Sequence, residues 1–196
     1  MALTKISNNS LSAISSLPAS IPTGALTLLS TQTASASASI EFTSGIDSTY
    51  DSYVFKFINI HPATNQKSFQ FQTSIDSGSS YGVTTTTTYF QADHAENDSS
   101  TSLTYVTSFD LAQSTSFQTL SHPTGISNDS DGSFVGTLQL FSPSSTTYVK
   151  HFISNGNTMY PSWTVNSYVA GYFNTTSAID AVKFQMDSGN FDGIIK

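Results

Sequence analysis

Between Tyr53 and Asp76 the side chains alternate with a period of two. Tyr53, Phe55 and Phe57 fall on one side of the backbone, and Val54, Lys56 and Ile58 on the other. Phe69, Phe71, Thr73 and Ile75 then alternate with Gln70, Gln72, Ser74 and Asp76. Successive residues of a strand point to opposite faces, so this pattern describes strands with one face in a core and one in water. Such a face has to be covered by a second layer. The same period predicts further strands at Ala25–Thr33, Ser37–Phe42, Val83–Phe90, Ser102–Phe109, Ser116–Leu120 and Phe134–Phe141. Others are expected at Thr146–Ser154, Ser167–Asn174 and Ala181–Asp187, with a last one from Gly193. Clusters of Ser, Asn, Asp, Gly and Pro mark the turns: Thr43–Asp51, His61–Lys67, Asp76–Gly82, Ala95–Thr101, His122–Ser133 and Asn155–Met159. About ten strands without a second convincing helix imply an all-β fold, an antiparallel jelly-roll-like β-sandwich over residues 23–196. Phe55, Phe57, Phe69, Phe71, Leu138, Leu140, Phe184 and Met186 are expected to face inward.

Residues 1–22 read differently. Leu11, Ile14 and Leu17 fall on one stripe of a short helix that Asn9 or Ser10 can cap and Pro18 should stop. A helix this short needs a surface on which to bury its stripe. That surface is either the body of the same chain or a neighbouring subunit; the stretch is expected to be a helical or extended docking segment that presents Leu3, Ile6, Leu11, Ile14, Leu17 and Ile21 to it.

Composition narrows the partners. Thirteen acidic and six basic residues give a net charge of −7. Binding nucleic acid or an anionic membrane requires clustered cations, so neither is expected. Ser and Thr make up roughly a third of the chain, which with 12% aromatic residues suits polar faces alternating with packed ones. With no cysteine, disulfides and thiolate metal sites are excluded. Ser and Asn interrupt Ile6 to Pro22 before an apolar run develops, unlike a signal peptide. No stretch approaches the roughly 18 apolar residues of a membrane-spanning helix, so membrane insertion is not expected.

The candidate sites are few. Asp93, His94, Glu96 and Asp98 form the densest polar cluster, but their spacing matches no calcium loop and reads as an exposed acidic turn. Asn128-Asp129-Ser130-Asp131-Gly132 resembles the opening of such a loop, yet Thr137 and Gln139 stand near where a distal acid is needed. His61, His94, His122 and His151 are dispersed without metal-ligand spacing. No G-x-S-x-G elbow or glycine-rich phosphate loop occurs. The expectation is a non-enzymatic protein with no cofactor and no metal. Tyr160, Trp163, Tyr168 and Tyr172 cluster around Pro161 as a candidate contact for a partner or a sugar, against packing in a core or interface. The runs Ala34–Ser39 and Thr84–Thr88 read as plain strand sequence, the threonines as an exposed strand.

The stretches Leu3–Leu11 (LTKISNNSL) and Leu17–Gly24 (LPASIPTG) are similar to the start of tailed-phage appendage proteins. Ser39–Pro62 (SIEFTSGIDSTYDSYVFKFINIHP), Leu140–Phe152 (LFSPSSTTYVKHF) and Gly171–Lys196 (GYFNTTSAIDAVKFQMDSGNFDGIIK) resemble virion structural proteins of marine and cyanobacterial tailed bacteriophages. The resemblance covers nearly the whole chain, with its most specific part at the C-terminal end. It implies a component of the phage particle surface, made in the host cytoplasm, with other virion proteins as partners. A tail-fibre or tail-tip subunit, docked by its N-terminus and assembled as a homotrimer, is the first expectation; host attachment through a surface glycan goes with it. A head fibre or a capsid decoration or cement protein is the alternative, and a carbohydrate-binding module the third. The resemblance also implies a few apolar and aromatic residues after Lys196.

Overall fold

A computed structural model describes residues 26–196, so the docking segment lies outside the described residues. The strands are β1 (Gln32–Ser37), β2 (Ser39–Phe42), β3 (Ser52–Pro62), β4 (Phe69–Ser74), β5 (Thr85–Ala95), β6 (Thr101–Tyr105) and β7 (Gln118–Thr119). They continue as β8 (Phe134–Phe141), β9 (Lys150–Tyr160), β10 (Trp163–Phe173), β11 (Ala181–Met186) and β12 (Phe191–Ile195). Two antiparallel sheets pack as a sandwich, one ordered β1-β12-β3-β8-β9-β10-β5-β6 and the other β2-β11-β4-β7.

Eight of these strands nest in four antiparallel pairs: β1 with β12, β2 with β11, β3 with β8 and β4 with β7. Folding that nest over on itself sends alternate pairs to opposite sheets, which is the connectivity of a jelly roll. The β5–β6 and β9–β10 hairpins are insertions into it. The β9–β10 hairpin pairs with the free edge of β8 and the β5–β6 hairpin with β10, which widens one sheet to eight strands.

The core follows the alternation. All eight residues expected inward are buried. Phe184, on β11, is at the centre: its ring lies 5.2 Å from those of Phe55 and Phe57 and 5.8 Å from that of Phe69. Aromatic pairs at such separations add about 0.5–1.5 kcal/mol each beyond their buried area. Where β7 is too short to cover β5 and β10, polar side chains close the interior. Tyr89 Oη meets Ser167 Oγ at 2.7 Å and donates to Ser121 O at 3.0 Å, and Thr87 Oγ1 donates to Gln118 Oε1 at 2.6 Å. Lys150 is buried at the start of β9 and donates to Thr175 O at 3.0 Å. Desolvation pushes its pKa below the usual lysine value.

Several boundaries differ from expectation. The first strand is not Ala25–Thr33: pairing begins at Gln32, opposite Ile195, while Leu26, Leu28 and Leu29 are exposed. A strand exists only where a neighbour offers N–H and C=O groups, which the apolar pattern of Ala25–Thr33 does not reveal. The Ala/Ser run instead supplies most of β1, with Ala34 buried. The threonine run is a strand, but an interior one, with Thr85 and Thr87 buried. Asn155–Met159 is no turn; it lies within β9, and the chain reverses at Pro161–Ser162, where Ser162 takes φ +62°. Asn157 spends its side chain on Thr164 Oγ1 of β10, at 2.8 Å. Gly156 leaves room for the Phe134 ring, which a Cβ there would meet at 2.3 Å. The segment from Ser102 to Phe109 is strand only to Tyr105 and ends in a 3-10 turn at Thr107–Phe109. The expected Thr146–Ser154 strand begins at Lys150, Ser167–Asn174 begins at Trp163, and Ser116–Leu120 shrinks to two residues.

Candidate functional site

The inserted strands place an aromatic row on the outer face of the large sheet. Tyr168 on β10 is opposite Phe90 on β5, and Phe90 is opposite Tyr105 on β6. Directly opposed residues share a face, so these three rings stand side by side across three strands. The rings of Phe90 and Tyr168 stack at 4.8 Å with planes 7° apart, and both are exposed. Tyr105 is fixed through its hydroxyl, which donates to the Asp110 carboxylate. In the next row Leu103 is 74% exposed beside Ala92 and Asn166. The outward positions of β10, β5 and β6 carry no Asp, Glu, Lys or Arg. The result is an aromatic platform bordered by Thr and Asn, with the Asp110 carboxylate at its Tyr105 edge. Such a surface stacks on an apolar ring face or packs against a protein.

The four expected aromatics do not form one site. Tyr168 and Tyr172 share the outer face. Tyr172 Oη accepts a hydrogen bond from Gln113 Nε2 at 3.3 Å, and its ring is 6.0 Å from His151. Trp163 has the opposite parity on β10 and pairs with Tyr160 across the hairpin end. Tyr160 lies against His122, ring centroids 4.8 Å apart, and accepts from Gln66 Nε2 at 3.2 Å. Burial there lowers the His122 pKa below the usual histidine value, against the opposing pull of the Asp93 carboxylate. Phe90, Leu103 and Tyr105 went unrecognised in the sequence. The signal was present in Leu103 and Tyr105, two large apolar residues at alternate positions of an otherwise Ser/Thr strand.

The polar clusters disperse. Alternation sends Asp93 inward, where it accepts from Ser102 Oγ at 2.7 Å, while His94 faces out and meets Asp98 at 3.1 Å. The Asn128–Gly132 stretch is a turn: Gly132 N donates to Asp129 O at 2.8 Å, and the Asp129 carboxylate accepts from Ser127 Oγ. Among the described residues no group of three or more His, Asp or Glu is arranged to hold a metal ion. Asp76 is held down to about 2 by hydroxyl donors from Ser74 and Ser80, a local turn device. No described helix is long and apolar enough to cross a membrane. Leu3, Ile6, Leu11, Ile14, Leu17 and Ile21 lie outside the described residues. Comparison with protein-family models, with curated proteins and with solved structures finds no match to this chain.

Proposed function

We propose that this chain is a non-enzymatic structural protein of a tailed-bacteriophage particle, a tail-fibre or tail-tip subunit that displays its sandwich to the host. The observation carrying this reading is how the jelly roll divides between two kinds of surface. The stretches that resemble virion proteins supply four of the eight nested strands whole, β2, β3, β11 and β12, with the end of β8 and the outer ends of the inserted β9 and β10. The aromatic platform lies on the inserted strands beside them, where a contact surface can vary without disturbing the frame. The stacked Phe90 and Tyr168 rings, with no cation beside them on these strands, suit a neutral host glycan, which binds by ring stacking and hydroxyl contacts. The N-terminal segment docks the subunit on the particle, and a homotrimer presents several platforms at once, raising avidity.

Immunogold labelling of intact particles with antibody to this chain tests the assignment. Gold at the tail is the expected result. A regular lattice of label over the head replaces it with capsid decoration, and particles without label overturn both. Sedimentation tests the trimer: a monomer at tens of micromolar, with the label still at the tail, confines assembly to the particle.

A further inference from the structure

Where β8 ends and β9 begins, a pocket of about 350 Å³ opens, lined by residues that include Asp51, Phe141, Ser142, Ser144, Tyr148 and His151. Its shape is fixed by main-chain hydrogen bonds. Ser142 N donates to Asp51 O at 2.7 Å, and Ser142 takes φ +45° as the chain turns out of β8. Ser145 N donates to Ser142 O at 3.0 Å, and Ser145 Oγ accepts from Tyr148 N at 3.1 Å. From the inner side of β9, the buried Lys150 donates to Tyr148 O at 3.4 Å and to Thr175 O at 3.0 Å. A contact surface ordered in advance loses less entropy when it binds.

These bonds leave the functional side chains free. The Asp51 carboxylate, the His151 imidazole and the Tyr148 hydroxyl take no part in them, and Tyr148 is 74% exposed. Besides Asp51 and His151, no acidic or basic residue lines the pocket. The pocket is also in line with the aromatic platform. His151 is opposite Tyr172 on β10, with ring centroids 6.0 Å apart. Tyr172 and Tyr168 share the outer face of β10, four residues and so about 14 Å apart. The outward row between them, Ile153, Ala170 and Thr88, carries no charge.

We propose that this pocket is a second saccharide subsite, and that pocket and platform together hold one neutral oligosaccharide. The inference rests on the glycan reading of the platform. One sugar ring stacks on Phe90 and Tyr168. Another, further along the same glycan, packs on Tyr148 and donates its hydroxyls to the Asp51 carboxylate, with His151 beside them. A carboxylate has two acceptor oxygens, enough for both hydroxyls of a vicinal diol. Hydrogen bonds to a charged acceptor are roughly twice as strong as neutral ones. The same carboxylate, with no lysine or arginine in the pocket, repels a sulfated or uronic-acid chain, so the glycan is neutral.

The test is a printed array of neutral, uronic-acid and sulfated oligosaccharides graded in length, probed with the labelled full chain. The strongest binder and its disaccharide fragment are then titrated by calorimetry. Neutral glycans are expected to bind, the long one about tenfold more tightly than the disaccharide because it reaches both contacts. Asp51→Ala and Tyr148→Ala change exposed side chains, so each should keep the melting temperature of the parent. Each should weaken the long glycan about tenfold and leave the disaccharide unchanged, which abolishes the length dependence. Phe90→Ala combined with Tyr168→Ala should weaken both ligands. If that platform pair weakens binding while the two pocket variants do not, or weaken both ligands equally, the pocket is overturned and the platform stands. If the pocket variants weaken binding and the platform pair does not, the shared glycan is overturned. No binding of any neutral glycan, or a preference for acidic ones, overturns the glycan reading itself and the subsite with it.

Discussion

At the scale of single residues, the sandwich depends on a few rings and one misfit. Phe71 touches Phe152 at 4.9 Å and Phe173 at 6.2 Å, and so joins the small sheet to β9 and β10. Phe71→Ala is expected to lower the free energy of unfolding by about 3–5 kcal/mol in urea titrations, since the cavity has rigid walls. Thr73, two residues on, shares that inward face, and its Oγ1 is the one buried side-chain polar atom left without a hydrogen bond among the described residues. An orphaned buried hydroxyl costs about 1–3 kcal/mol, so Thr73→Val, nearly equal in shape, should raise stability by about 1 kcal/mol or more. The same titrations check it. His122 gives a pH dependence. Its folded pKa lies below its unfolded value of about 6.5, because burial disfavours the imidazolium. The associated stability is therefore complete above pH about 6.5 and is lost as pH falls through that value toward the folded pKa. Melting curves between pH about 7.5 and 5 should show this loss, and His122→Gln should reduce it. The inward Phe and Leu positions were legible in the sequence because alternation reports them. The orphaned Thr73 and the desolvated His122 were not, because each depends on what a distant strand places beside it.

At the scale of elements, legibility ends where composition stops implying a turn. The Tyr53–Ile60, Phe69–Ser74 and Ala181–Met186 strands are evident from period two alone. Asn155-Gly156-Asn157 carries the residues of a turn, yet it is the middle of β9. Its amides bond across to β10, and its glycine accommodates a ring from β8. Gly156→Ala places a methyl 2.3 Å from Phe134 Cε2 on the inner face. Overpacking of this kind costs about 1–3 kcal/mol, so the variant should melt earlier while keeping its β-sheet circular dichroism. The aromatic platform was half legible for a related reason. Tyr168 and Tyr172 were recognised by their neighbours in sequence, but a platform is assembled across strands. Phe90 and Tyr105 become its members only through the register of β10, β5 and β6.

At the scale of the whole molecule, a sandwich was legible but the nested pairing was not, because joining β1 to β12 reaches from one end of the described chain to the other. Local propensity carries no information about that closure. Once made, it sets a clear expectation for the N-terminal segment. The framework strands all lie within residues 32–195, and Leu26–Ser30 lines a cavity with Phe42, Tyr53 and Phe55. Deleting residues 1–22 leaves every described strand and every core ring in place. The shortened chain is expected to keep the melting temperature of the full one within a few degrees, a change of about 1 kcal/mol or less. The virion reading adds that it should no longer enter particles, because Leu3, Ile6, Leu11, Ile14, Leu17 and Ile21 are lost together. The two readouts separate the alternatives. A markedly lowered melting temperature, reproduced by the double change Leu11→Asp with Leu17→Asp, means that the segment packs on its own sandwich. Unchanged melting with normal incorporation moves docking onto the sandwich, where the aromatic platform becomes the surface to mutate next.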